Sequence, residues 1–305
     1  MSATTPEQEL ETRARLVRSA GVASVSVATA LVGLKIWAWL ATGSIAMLGS
    51  LADSVLDLLA STMTLIAVRF ALEPADREHR FGHGKLEAIA GLVQSFVITL
   101  SAGYVGFRAV TRLIEPEPIT APLAGTVVMA VSLVLTISLV LYQRLVVEQT
   151  GSIAISADAL HYKADVLTNV AVLAAIGASS WLGWHRADPL LGLLVVLVIL
   201  SSVRAIVLQS LDVLLDRELP AASRQEILRI AKLHDEVLGA HDLRTRTSGT
   251  HEFIQFHLEL RPELPLARVH EISDQVEAEV KRSFPRAEVI IHADPYGLVE
   301  DKDEF

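Results

Sequence analysis

The chain has 305 residues, 51% of them hydrophobic, a net charge of −9, a mean hydropathy of +0.45 and no cysteine. That is too apolar for an ordinary soluble domain and points to a membrane protein, while the acidic balance gives nucleic-acid binding no electrostatic support. With neither disulfide nor thiolate available, any metal must be held by imidazole and carboxylate, which suits Zn²⁺, Fe²⁺, Co²⁺, Ni²⁺ or Mn²⁺ better than Cu⁺.

Residues 1–15 (MSATTPEQELETRAR) form a polar, acidic N-terminal segment. It lacks the basic stretch and short apolar core of a cleaved signal, so the first membrane helix is expected to be retained. Six apolar spans follow, at 17–41, 44–70, 86–113, 121–147, 152–181 and 189–210. Each meets the need of a ~30 Å hydrocarbon core for about 20 helical residues, within a tilt allowance. Gly43, the Glu115-Pro116-Glu117-Pro118 run, Gly151 and the stretch 183–189 punctuate them. Residues 16–212 thus read as a six-helix transmembrane domain.

Residues 213–296 read as a charged soluble domain. An amphipathic helix at 222–233 is followed by strands at 243–246 and 253–260, the second alternating as FIQFHLEL. A longer helix at 266–284 and a buried strand at 288–292 complete an αββαβ order, which predicts a small sheet with helices on one face. An acidic tail, 297–305, closes the chain.

An even number of spans puts both termini on one side. The N-terminal side holds Arg13, Arg15, Arg18, Arg69, Arg77, Arg80, Lys85 and Arg144; the opposite side holds Arg108, Arg112, Arg186 and a snorkelling Lys35. The positive-inside rule then favours cytoplasmic termini.

Two pairs of residues interrupt the apolar spans: Asp53 with Asp57, and His161 with Asp165. Each is spaced i,i+4 and shares one helix face. An ionised Asp at a membrane midplane costs at least ~2.5–3.5 kcal/mol, so such residues face a cavity or a partner. Asp53 and His161 each lie about 14 Å into their spans at 1.5 Å per residue. If these antiparallel helices are neighbours, Asp57 should face His161 and Asp53 should face Asp165. Four such ligands can build a tetrahedral site, which suits Zn²⁺. Three carboxylates and a neutral imidazole sum to −3, and a divalent ion leaves −1, far cheaper to bury. Without metal the same groups should take up protons, so metal and protons compete for one site. Structural pairing between helices is the alternative, but two pairs at matched depth fit it poorly.

Two further clusters stand out. In the loop EPADREHRFGHGK, the spacing of Asp76, His79 and His83 fits a metal site or a solvated charged loop equally well. In the soluble domain, His257 is mid-strand, His292 and Asp294 share a face of the last strand, and His241 and His270 lie elsewhere. These suggest metal binding, against unrelated exposed histidines. His185 and His234 read as unrelated, while His251 could share the face of His257. No HExxH, GxSxG or GxxxxGK[ST] occurs, so proteolysis and nucleotide-driven pumping have no signature.

The strings GSLADSVLD, EPADREHRFGHGKLEA, SADALHYKADVLTN, HRADPL, LLDRELP, GAHDLRTRTSG, FIQFHLEL and VIIHADP, running in order from about residue 44 to 296, resemble those of the cation diffusion facilitator family. The resemblance implies a polytopic α-helical membrane protein with six transmembrane helices and a C-terminal cytoplasmic αββαβ metallochaperone-like (ferredoxin-like) domain. It implies a homodimer in the lipid of the bacterial inner membrane, a transporter and not an enzyme. Asp53, Asp57, His161 and Asp165 would form the transport site, and Asp76, His79 and His83 a loop site. His241, His257, His270, His292 and Asp294 would form a dinuclear regulatory site at the dimer interface. Lys85 and Asp216 match a salt bridge linking the two domains. His251 and His234 are departures nearby that could add or replace a ligand. The implied mechanism is proton-coupled antiport exporting Zn²⁺, with protons as counter-ion and metal in the soluble domain as regulator. Fe²⁺, Cd²⁺, Co²⁺ or Mn²⁺ as main substrate, or a non-transporting membrane metal sensor, are the alternatives.

Overall fold

The computed structural model describes residues 6–43, 45–114, 123–182, 184, 186–249 and 251–297. Residues 1–5, Ser44, residues 115–122 (the Glu115–Pro118 break with the start of the fourth span), Gly183, His185, Thr250 and tail residues 298–305 lie outside these. The chain divides into two compact units. One is Thr12–Glu73 with Leu86–Leu211; the other is Met1–Glu11 with Pro74–Lys85 and Asp212–Phe305.

Six long helices supply the first unit: α1 (Pro6–Thr42), α2 (Ile45–Ala71), α3 (Leu86–Ile114), α4 (Leu123–Thr150), α5 (Ile153–Leu182) and α6 (Ala187–Leu214). All but α5 are long and apolar enough by composition to cross a membrane. In α5 the apolar run is diluted by Asp158, His161, Lys163 and Asp165. Large apolar side chains such as Phe96, Leu100, Tyr104 and Phe107 point outward, while Ala20, Ser24, Ala28, Ser61 and Ala157 are fully buried. This inside-out pattern suits lipid as solvent, where small and polar side chains let helices approach and bond. A Cβ on Gly21 would lie 2.9 Å from Leu65 Cδ1, and one on Gly91 2.7 Å from Ile153 Cγ2. Gly43 and Gly151 end α2's predecessor and α4 with positive φ, their N–H groups donating to Trp39 and Val147 carbonyls. Arg112 Nη1 donates to Asp188 Oδ2 at 3.0 Å, tying the end of α3 to the start of α6.

The second unit holds α7 (Ala221–Ala231), β1 (Val237–Ser248), β2 (His251–Leu260), α8 (Leu266–Ser283) and β3 (Ala287–Pro295). The sheet order is β1-β2-β3, with β1 antiparallel and β3 parallel to β2. The alternation in β2 sends Ile254, Phe256, Leu258 and Leu260 into a core with Ile227 and Ile230 of α7 and Ile272, Val276 and Val280 of α8. The intervening residues, Phe253, Gln255, His257 and Glu259, therefore occupy the other face. The first strand is much longer than the predicted 243–246. Its register shifts between His241 and Arg244, and Asp242 has φ 46°. A bulge of this kind breaks the period-two pattern by which a strand is read from sequence.

The loop Pro74–Lys85 belongs to this unit and is anchored on its sheet. Phe81 meets Phe253 edge-to-face with ring centroids 5.4 Å apart, and the Arg246 guanidinium lies 4.3 Å from the Phe81 centroid. Any Cβ on Gly84 would collide with the Ser248 carbonyl.

Candidate metal centres

The first cluster lies between α2 and α5. His161 Nε2 and Asp57 Oδ1 are 2.8 Å apart. Asp165, one turn further along α5, brings a carboxylate oxygen so that the three ligand atoms lie within 4.8 Å of one another. His161 is buried, at 8% exposed. Asp53 is one turn from Asp57 on α2, exposed and outside this set of three. Two carboxylates with a neutral imidazole balance a divalent charge. The start of α5 is fixed by buried Glu87 of α3, whose Oε2 accepts Ser152 Oγ–H at 2.7 Å and the Ile153 N–H at 3.2 Å. A carboxylate at a helix N-terminus satisfies orphan donors and complements the macrodipole.

The second cluster is the loop. Asp76, His79 and His83 each bring a ligand atom within 4.8 Å of the others. His79 Nδ1 is 3.3 Å and His83 Nε2 3.5 Å from Asp76 carboxylate oxygens. The backbone N–H groups of His79 and then Glu78 donate to Asp76, and hold its carboxyl below the usual carboxylate range. Asp76 therefore stays ionised to lower pH than a free carboxylate does.

The third cluster lies on the sheet face opposite the helices. His241 pairs with His257, and His257 with His292, across the three strands. The rings form a row with centroids 5.3 and 4.7 Å apart. Asp294 reaches all three: 2.7 Å to His257 Nδ1, 3.1 Å to His292 Nε2 and 3.6 Å to His241 Nε2. His241, His257 and Asp294 make the compact set. His241 Nδ1 is 2.9 Å from Glu259 Oε1, yet it is off the hydrogen-bonding direction and buried without a bond. His270, expected among these ligands, is exposed on α8 beside Asp274 at 3.5 Å. It is set apart because α8 covers the opposite face of the sheet. His251 shares the face of His257 but sits about 20 Å along the strand at ~3.3 Å per residue, and His234 is bonded to Gln275 at 2.9 Å. Lys85 Nζ lies 2.9 Å from Asp216 Oδ1, inside this one unit.

Residues 21–215 match the family model for the cation efflux transmembrane domain, and residues 219–296 that for the cation efflux protein cytoplasmic domain. The chain belongs to the cation efflux (CDF) family. It is 46% identical over 93% of its length to Cation-efflux pump FieF of Klebsiella pneumoniae subsp. pneumoniae, covering 95% of that protein. It is 47% identical over 95% of its length to Cation-efflux pump FieF of Salmonella paratyphi A, covering 96%. The solved structure of MamM-CTD matches 24% of this chain and 95% of its own at 27% identity, with a TM-score of 0.24. As a member of the cation efflux family the protein is a multi-pass membrane transporter and not an enzyme.

Several polar residues of this cation efflux protein escape sequence reasoning. Asp158 is fully buried; its oxygens accept from Gln143 Nε2 at 2.7 Å and Ser61 Oγ at 3.1 Å. Gln143 also donates to Ser24 Oγ at 2.9 Å, and Ser61 meets Tyr162 Oη at 2.8 Å. A lone Asp in a span carries no spacing signal, which is why this network stays hidden. Lys35 does not snorkel: its ammonium donates to Ser54 Oγ at 2.6 Å and the Ser50 carbonyl at 3.0 Å. Asp242, re-aimed by the bulge, stands 3.7 Å from His257 Nε2.

Proposed function

We propose that the protein exports divalent cations, Zn²⁺ foremost, in exchange for protons, from a site built of Asp57, His161 and Asp165 with Asp53 as fourth ligand. The observation that carries this is the 2.8 Å contact between His161 Nε2 and Asp57. A hydrogen bond there needs a proton on the pair. A cation that takes the same two atoms must displace it, so loading metal releases protons and returning protons eject metal. The imidazole favours Zn²⁺ over the harder Mn²⁺; Fe²⁺, Cd²⁺ and Co²⁺ suit the same donors, and affinity order alone does not choose among them.

In this reading both termini are cytoplasmic, the membrane is the bacterial inner membrane, and two copies assemble through the cytoplasmic domain. The loop cluster of Asp76, His79 and His83 and the sheet cluster of His241, His257, His292 and Asp294 bind further cations. His270, projecting from α8, would serve a site completed by the second copy. Metal there would raise transport by favouring one global state, which requires tighter binding to that state.

The test is Zn²⁺ flux into proteoliposomes under an imposed pH gradient, wild type against Asp165→Ala. Gradient-dependent flux that falls to the level of empty liposomes in the variant is expected. Equal flux in both would refute the site, and flux indifferent to the gradient would refute proton exchange. Competition by each other ion against Zn²⁺ flux ranks the substrates.

A further inference from the structure

A cleft of about 560 Å³ opens between α4, α5 and α6. Leu141, Leu160 and Ile206 are among its apolar walls, and Arg144, Lys163 and Gln209 stand in it as polar groups. Lys163 is exposed and makes no hydrogen bond or ion pair among the described residues. It lies ten residues into α5, about 15 Å along a helix that crosses a ~30 Å core. A cation at that depth is costly unless it reaches water or meets an anion. Arg144 lies nearer the end of α4 and gives its Nε to Glu148 at 2.8 Å, while its two terminal amino groups make no bond among the described residues. Gln209 stands close to the end of α6. The polar atoms thus run from Lys163 towards the rim where α4 ends and α5 begins, and no carboxylate lines the cleft.

A soluble anion would satisfy the cations and leave the apolar walls bare. A neutral chain would cover the walls and leave Lys163 unpaired. An anionic lipid does both. We propose that this cleft binds an anionic glycerophospholipid, its phosphate held by Lys163 and Arg144 and an acyl chain laid along Leu141, Leu160 and Ile206. The zwitterionic lipids are selected against because their own cations would face Lys163 and Arg144.

Native mass spectrometry of the purified full-length protein, titrated with phosphatidylglycerol and separately with phosphatidylcholine, tests this. Wild type should retain phosphatidylglycerol preferentially. Lys163→Gln should weaken it roughly fivefold, the contribution of one basic side chain near an anionic headgroup, and Lys163→Arg should restore it. Arg144→Gln, at the exposed rim, serves as a second variant if Lys163→Gln does not fold; melting temperature reports on that. Equal retention of the two lipids, or unchanged binding in both glutamine variants, would overturn the proposal. So would displacement of the lipid by inorganic phosphate, which would mark a soluble-anion site.

Discussion

Two acids on α5, Asp158 fully buried and Asp165 half-buried, have opposite surroundings, and the contrast separates their tasks. Asp165 shares its space with Asp57 and His161, groups that need a proton or a cation between them. Asp158 is ringed by donors, with Gln143 and Ser61 already on its oxygens. An acid among acceptors asks for a cation; an acid among donors is satisfied and holds helices together. Asp158→Ala should therefore lower stability by about 1–3 kcal/mol, the cost of buried groups left without partners, seen as a lower melting temperature in detergent, while the zinc binding proposed for Asp57, His161 and Asp165 should be retained. Asp158→Asn should recover most of this, because Gln143 Oε1 is buried and unbonded and can turn to accept the new amide. Loss of that zinc with unchanged melting would instead place Asp158 among the ligands. The i,i+4 pairs could be read from sequence because helical spacing alone aligns them. Asp158 could not, since its partners come from α1, α2 and α4 and no local pattern announces them.

At the scale of elements, spans and strands were legible wherever one period dominated. The six apolar runs and the alternating FIQFHLEL needed only hydrophobic periodicity. The bulge at Asp242 hid most of β1, and the loop's docking was hidden because Phe81 and Phe253 are distant in sequence. Gly84 shows what that docking demands. Its α-carbon rests against the Gly249 backbone, itself at φ +61°, and the neighbouring Ser248 carbonyl leaves no room for a side chain. Gly84→Ala must push backbone from backbone, so a cost of about 1–3 kcal/mol is expected, as for overpacking. Amide exchange in the loop 74–85 and at the end of β1 should accelerate, with exchange in the α7–α8 core unchanged. Protection retained in the loop of the Gly84→Ala protein would show that the close approach does not hold it.

At the scale of the whole molecule, the regulation proposed above requires the unit that carries the loop and sheet clusters to influence the membrane-spanning unit. The loop is the place to look, because it carries Asp76, His79 and His83, packs within the soluble unit, and runs directly into α3 after Lys85. The Lys85–Asp216 pair is 2.9 Å long but only partly buried, 32% and 43% exposed at the two side chains. Partly exposed pairs contribute at most about 1 kcal/mol. Asp216 also has Arg246 at 3.5 Å, and Arg246 is stacked on Phe81 and Phe253. The loop therefore has other anchors, and Lys85→Ala should leave melting temperature and zinc stoichiometry near those of wild type. If the pair transmits motion, the same variant should transport slowly, with a lower maximal rate and little change in the zinc concentration for half-maximal flux. A fall in both stability and flux would make the pair merely structural. Wild-type flux would leave the aromatic contacts of Phe81 as the connection that matters, and Phe81→Ala, which removes the ring packed against both Arg246 and Phe253, would then carry the larger loss.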